Sequence, residues 1–309
     1  MPQNFSLAIH GGSGTILRSK LSPEQEANYL KTLNEAGEEG KAILASGGTA
    51  VDAVCASVVA LEDSPLFNAG KGSVFASNGA NEMDASIMDG SNLYAGSVAM
   101  VKGVRNPIEL ARLVMEKSGH VFLAGEGAEE FARSQNVKFE SPQYFHDELR
   151  FKQWQSVKDT DKTQLDHTPL TDEKFGTVGA VACDLNGNLA AATSTGGMTN
   201  KKFGRVGDSP IIGCGTYANN ATCAVSCTGS GEYFIRGVVA YDVSCLMEYK
   251  GLTLQEACDT VIHDRLLRIG GDGGLIAVDT KGNIALPFNT EGMYRASLVD
   301  GKIFAEIFK

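Results

Sequence analysis

A chain of 309 residues that is 43% hydrophobic and 21% charged has globular composition and the length to bury a large core, which excludes disordered, collagen-like and coiled-coil architectures. Its net charge of −10 opposes binding to a phosphate backbone, which needs clustered Lys and Arg, so no nucleic-acid partner is expected. No run reaches the ~18 to 20 apolar residues of a membrane span, and residues 1–7 lack the basic start and long apolar stretch of a secretion signal. The expectation is a soluble, cytoplasmic protein with no membrane partner.

From the N-terminus, an apolar run ends at His10, where Gly11 and Gly12 indicate a turn beside the core and give His10 a structural role. Ser22-Pro23-Glu24-Gln25 carries capping chemistry, in which a side-chain oxygen accepts from first-turn N–H groups, and predicts a helix to about residue 46. Thr49 with Asp52 opens a second helix to about 63, and Asn106-Pro107 with Glu109 a third to about 117. Thr253 with Glu256 opens another; one more, without such a cap, is expected to follow Gly231 and run through Tyr249.

Between the helices lie short β-rich runs that turn on Asp, Asn and Gly, the chemistry of tight hairpins. Residues 83–90 lead into 93–101, and 177–184 turn at Asn186-Gly187 into 189–193. Residues 274–279 turn at Lys281-Gly282 into 284–288 and resemble the preceding pair, which reads as one hairpin reused. So few copies exclude a solenoid. Small apolar residues on both alternating faces imply strands covered on both sides, and hence sheets sandwiched by helices. The polar stretch from about 135 to 175, with Pro142 and Pro169, reads as a partly helical, then flexible and exposed linker.

The seven cysteines lie mostly in apolar runs without CxxC spacing and read as buried reduced thiols. No GxSxG, HExxH or EF-hand pattern accompanies the five scattered histidines, so serine-triad, zinc-protease and calcium chemistry lack support. Residues 68–73 fail P-loop spacing, and the glycines at 213 and 215 lead into a strand, which excludes nucleotide binding.

What remains is Phe175-Gly176-Thr177, where a threonine stands between a polar linker and a buried strand. Cleavage before Thr177 releases an α-amine beside its own hydroxyl, and an amine of pKa ~7.7 to 8.0 can take the hydroxyl proton without histidine. Thr195 follows the paired strand. Arg205 can fork onto a substrate carboxylate while Asp208 takes its ammonium, a pair that defines an amino-acid ligand. The Thr228 hydroxyl and the N–H groups after it suit an oxyanion.

At these residues the sequence resembles the plant-type L-asparaginase, or isoaspartyl peptidase, family of N-terminal nucleophile hydrolases, especially its bacterial members. The resemblance spans nearly the whole chain. It rests on His10-Gly11-Gly12, on Pro65 through Gly70, on Met83 through Gly90, on Gly176 through Ala180, on Thr193 through Gly197, on Gly204 through Pro210 and on Thr228 through Glu232, in family order.

The resemblance implies an α+β fold, an αββα four-layer sandwich, formed by residues 1–309 as one domain. It implies autocleavage between Gly176 and Thr177 into an α subunit, 1–176, carrying the linker, and a β subunit, 177–309, which associate as (αβ)2. It makes Thr177 the nucleophile, Thr195 the residue orienting its hydroxyl, and Thr228 with the Gly229 N–H the oxyanion hole. Arg205 and Asp208, helped by the Gly231 carbonyl, become the substrate clamp. A structural sodium is implied on backbone oxygens of Leu61, Glu62, Ser64, Phe67, Ala69 and Lys71, with the Lys71 ammonium pointing to water; no cofactor is implied for catalysis. The activity implied is hydrolysis of asparagine and of β-aspartyl dipeptides. A glycosylasparaginase and a non-hydrolytic amino-acid-binding protein are the rival readings.

Overall fold

The computed structural model describes residues 5–158, 160 and 176–309. The elements in chain order are β1 (Ser6–Gly14), α1 (Pro23–Ala45), α2 (Ala50–Glu62), β2 (Met83–Asp89), β3 (Ala95–Val101), α3 (Pro107–Lys117), β4 (Phe122–Ala124), α4 (Gly125–Ser134) and α5 (Glu148–Val157). After the junction come β5 (Val178–Cys183), β6 (Leu189–Thr195), β7 (Thr216–Ala218), β8 (Cys223–Gly229), α6 (Gly231–Gly237), α7 (Val239–Lys250), α8 (Leu254–Thr260), β9 (Gly273–Asp279), β10 (Ile284–Ala285), β11 (Gly292–Val299) and β12 (Lys302–Phe308).

Capping chemistry sets several of the helix starts. Ser22 and Gln25 form a reciprocal capping box on α1, as do Thr253 and Glu256 on α8, and the Thr49 hydroxyl accepts from Asp52 N on α2. Asn106 differs from expectation. Its amide donates to Asp63 instead, and the Glu62 carboxylate reaches across to accept the Ile108 N–H at 3.1 Å, so α3 is capped from another helix.

The strands form an eight-stranded sheet, ordered β12-β11-β1-β5-β6-β2-β3-β4, and a four-stranded sheet, ordered β10-β9-β8-β7. Three apolar layers fill the spaces between four structural layers. Helices α1, α2 and α3 cover the outer face of the large sheet through Leu33, Leu44, Val58, Ile87 and Val98. The two sheets meet across Ala8, Val181, Ala191, Ala218, Ala224 and Ile276, where small side chains permit close approach of the two backbones. Helices α7 and α8 cover the small sheet through Val225, Val243, Leu254 and Ala277. The result is the αββα sandwich that two-sided apolar strands require.

The reused hairpin is real at atomic detail. Asp184 Oδ1 accepts from Asn186 N and Asn188 N in the β5–β6 turn, and Asp279 Oδ1 accepts from Lys281 N and Asn283 N in the β9–β10 turn. One copy sits in each sheet. The second is shorter than expected: Pro287 has no N–H to donate, and pairing beyond Ala285 reduces to a bridge between Gly274 and Phe288.

The expected single helix after Gly231 is two helices. Val238 between them takes a left-handed conformation (φ 48°), and the start of α7 is satisfied by tertiary bonds from Ala240 N to Cys214 O and Tyr241 N to Gly213 O. The stretch after residue 135 is helical over α5, as expected, but not simply exposed. Phe145 and Val157 are buried, and Phe151 and Trp154 stack around Phe75. The remainder of the linker, 161–175, lies outside the described residues. All seven cysteines are free thiols, six of them buried.

Candidate active site

The central strands of the large sheet bring the two candidate threonines together. Thr177 immediately precedes β5, and Thr195 ends its partner β6. Their hydroxyls lie 3.1 Å apart, and the Thr195 hydroxyl also accepts from Gly197 N at 3.0 Å. Asn68 braces this turn from below: its carbonyl accepts Gly196 N and its amide donates to Gly197 O at 2.7 Å. Nothing in the sequence marked Asn68 for this task, because its partners are about 130 residues away.

Gly176 is pressed against the β1 turn. A Cβ on Gly12 (φ +111°) would lie 2.4 Å from Gly176 Cα, and one on Gly176 would lie 2.7 Å from Gly12 Cα and 3.2 Å from Thr228 Oγ1. Both positions therefore demand glycine for close approach, and Gly12 for its conformation as well. Thr228 is fixed by reciprocal bonds with Ser13, whose N–H donates to the Thr228 hydroxyl and whose hydroxyl donates to the Thr228 carbonyl. Gly229, next in β8, adopts a φ of +154° that places it against the Asp272 carbonyl.

Arg205, Asp208 and Gly231 also converge. A Cβ on Gly231 would stand 2.9 Å from both Arg205 Nη2 and Asp208 Oδ1. The Arg205 fork is engaged by Glu232, with Nε and Nη2 each 2.8 Å from a carboxylate oxygen. Sequence reasoning passed over Glu232, which sits on Arg205 as a carboxylate ligand does. Asp208 is buried, its Oδ2 has no hydrogen-bond partner among the described residues, and burial pushes its carboxyl up to about 7. Such a group is short of one cation.

A second buried carboxylate stands behind the site. Asp84 faces Thr195 across the β2–β6 ladder, accepts from Met100 N and lies 3.7 Å from Lys201 Nζ. Burial raises its carboxyl, and the Lys201 charge opposes that rise. His10 is buried at a bulge in β1, with Nε2 3.0 Å from Ser226 Oγ. Desolvation holds its imidazole down to about 3, with the Thr177 backbone pulling the other way, so the ring is neutral.

The loop after α2 presents backbone oxygens where the implied monovalent cation would sit. It folds back so closely that a Cβ on Gly70 would lie 2.4 Å from Glu62 O, and one on Gly72 would lie 2.2 Å from Phe67 O. Ser64 N bonds Leu61 O, Ala69 N bonds Phe67 O and Gly72 N bonds Ala69 O, each leaving that oxygen a second lone pair. This set of neutral oxygens fits a hard cation. The half-exposed Lys71 carries its ammonium 5.5 Å over the Tyr144 ring. Among the described residues no group of His, Cys, Asp and Glu side chains could hold a metal.

A four-layer sandwich with a threonine at the edge of its central strand defines a class of fold and site, and comparison with known proteins narrows it. The sequence profile of the asparaginase family matches residues 3–306, and the chain belongs to that family. It is 55% identical over 293 residues to the isoaspartyl peptidase of Escherichia coli (strain K12), covering 94% of this chain and 91% of that one. The Salmonella typhimurium isoaspartyl peptidase is likewise 55% identical, with 94% of each chain covered. The human isoaspartyl peptidase/L-asparaginase is 42% identical over 300 residues, covering 97% of this chain and 95% of its own.

Proposed function

We propose that the protein is a self-cleaving threonine amidohydrolase that converts L-asparagine to L-aspartate and ammonia and cleaves β-aspartyl dipeptides. Relatives named isoaspartyl peptidase and isoaspartyl peptidase/L-asparaginase support this activity. The observation that carries the mechanism is the 3.1 Å contact between the Thr177 and Thr195 hydroxyls, beside the junction that Gly12 and Thr228 confine.

In maturation, the Thr177 hydroxyl attacks the Gly176 carbonyl, the amide shifts to an ester on Oγ1, and water opens the ester. The products are a chain ending at Gly176 and one beginning with the free amine of Thr177. In catalysis, that amine takes the proton of its own hydroxyl, whose oxygen attacks the side-chain amide carbon of the substrate. Thr195 orients the nucleophile, while the Thr228 hydroxyl and Gly229 N–H donate to the oxyanion. Ammonia, or an amino acid from a dipeptide, leaves with the proton. Water then releases aspartate from the ester.

Both substrates share an aspartyl unit with an α-carboxylate and an α-ammonium. Asp208 supplies the missing counter-charge for the ammonium, with the Gly231 carbonyl beside it, and Arg205 binds the carboxylate by displacing or sharing Glu232. Sodium held by Leu61, Glu62, Ser64, Phe67, Ala69 and Lys71 would stiffen the loop that carries Asn68, and through it the Thr195 turn. The matured protein is read as an (αβ)2 assembly in the cytoplasm; no helix among the described residues is long and apolar enough to cross a membrane.

Thr177→Ala tests the core of this reading. The variant should run as one uncut band on a denaturing gel and hydrolyse neither asparagine nor β-aspartyl dipeptides. Normal turnover by that variant would remove Thr177 from the mechanism.

A further inference from the structure

Ser230 stands between the two halves of the site, directly after Thr228 and Gly229 and directly before Gly231 of the clamp. It is buried, and it occupies the N-cap position of α6, where a serine hydroxyl ordinarily accepts from an N–H of the first turn. Here it makes no such bond. The hydroxyl donates to Asp272 Oδ1, 42 positions along the chain, and Ser230 N donates to the Asp272 carbonyl at 3.1 Å. A cap residue that leaves its own helix start uncapped to hold a distant carboxylate gives up a stabilising bond, so the contact needs a reason.

The neighbouring backbone supplies one. The direction of the Gly229 N–H depends on two peptide planes. The Thr228–Gly229 plane, which contains that N–H, is held by the Ser13 hydroxyl on the Thr228 carbonyl at 3.0 Å. The Gly229–Ser230 plane is held by the bond from Ser230 N to Asp272 O. Between them Gly229 takes a φ of +154°, and a Cβ there would lie 2.4 Å from Asp272 O. Its partner across the β8–β9 ladder, Gly273, has a φ of +146°, and a Cβ there would lie 2.4 Å from Thr228 O. The two strand ends thus meet glycine to glycine, and the Gly229 peptide cannot turn unless Asp272 or Ser13 moves.

Asp272 is itself anchored on both flanks. Asn289, in the loop between β10 and β11, accepts from Gly273 N on Oδ1 at 2.8 Å and donates its backbone N–H to Gly273 O at 2.9 Å. Its side-chain amide reaches Gly271 O at 3.3 Å and Ile262 O at 3.2 Å. A fixed turn therefore presents both the carbonyl and the carboxylate of Asp272 to Ser230. Neither Asp272 nor Asn289 belongs to the nucleophile, the oxyanion hole or the clamp as read above.

We propose that Asp272, acting through Ser230, is a positioning residue for the oxyanion hole: it grips Ser230 at both the N–H and the hydroxyl and so keeps the Gly229 N–H aimed, beside the Thr228 hydroxyl, at the charge that develops on the substrate oxygen. The inference rests on the oxyanion role proposed for Thr228 and Gly229. Such a donor binds the transition state more tightly than the ground state, so a misdirected N–H is read in kcat and little in KM.

The test measures steady-state hydrolysis of asparagine by full-length variants, with kcat counted per chain beginning at Thr177. Asp272→Ala removes the carboxylate but keeps the carbonyl, and should lower kcat by roughly 10- to 100-fold, short of or equal to the loss of a whole oxyanion donor. KM should move by less than about threefold, because Arg205 and Asp208 stand on another segment. Ser230→Ala should reproduce that loss, and the double variant should lie within about twofold of either single one, since both remove the same bond. Asp272→Asn, whose amide oxygen can still accept from Ser230, should keep kcat within about threefold of the unaltered enzyme. Should Asp272→Ala not fold, Ser230→Ala and Asp272→Asn decide the matter alone. Unchanged kcat in Ser230→Ala, a loss confined to KM, additive losses, or Asp272→Asn as slow as the alanine variants overturns the proposal. Thr228→Val separates this failure from that of the site reading: normal turnover there removes the oxyanion hole and the proposal with it, whereas a slow Thr228→Val beside a normal Ser230→Ala overturns the positioning role and leaves the hole in place.

Discussion

Binding of an amino acid to this protein should expel a proton from Asp208. Burial holds the carboxyl near pKa 7 against an ordinary 3.8, and Oδ2 has no hydrogen-bond partner among the described residues. Arg205, whose charge acts on Asp208, is already committed to Glu232. At pH 6 such a group is about nine-tenths protonated, and an ammonium brought against it lowers a carboxyl by about 1 to 3 units. Ligand binding at pH 6 should therefore release about 0.4 to 0.9 proton, and at pH 8 about 0.1 or less, with affinity rising up to about tenfold between them. The sign for stability follows. A folded-state pKa raised above the unfolded one means that the free protein binds more protons folded, so this group's contribution is full below about pH 4 and lost as the pH climbs through about 7. Calorimetric titration of L-aspartate, the reaction product, into mature enzyme in two buffers of different ionisation enthalpy measures the proton count directly. A binding enthalpy independent of buffer at pH 6 would refute the reasoning. So would an undiminished proton release in Asp208→Asn.

Three further outcomes follow from the same geometry. Gly231→Ala puts a Cβ 2.9 Å from both Arg205 Nη2 and Asp208 Oδ1, and should raise KM for asparagine at least tenfold while the chain still cuts itself, as kinetics and a denaturing gel will show. Gly12→Ala, strained at φ +111° and 2.4 Å from Gly176 Cα, should leave most of the purified protein as a single uncut band; complete processing would mean that the Gly12 approach does not govern the junction. Replacing sodium by choline should lower the unfolding temperature, by the equivalent of about 2.7 kcal/mol if sodium had stood at a hundredfold its dissociation constant, and an unchanged transition would refute the cation loop.

The local chemistry of the chain was largely decided by the residues themselves. Ser22 with Gln25 and Thr253 with Glu256 cap their helices with neighbours three residues away, and the Asp184 and Asp279 turns are closed by side chains within four residues. Two-sided apolar strands then require cover on both faces, which gives the layered architecture. Thr177 also stood out locally, because the nucleophile proposed here would carry its own base and needs only a junction with glycine before it.

Tertiary structure decided everything that depends on a partner far along the chain. The cap of α3 comes from Glu62, the break at Val238 is settled by Gly213 and Cys214, and the β11–β12 hairpin finds its place only by pairing with β1. The same holds for the surroundings of the candidate site: Asn68 under the Thr195 turn, Asp84 against Lys201, Glu232 on Arg205 and Ser226 against His10. Capping and turn patterns act over a few residues of backbone and can be read in order. The desolvation of Asp208 and the neutrality of His10 arise only when separate strands exclude water around them, and no stretch of sequence contains that information.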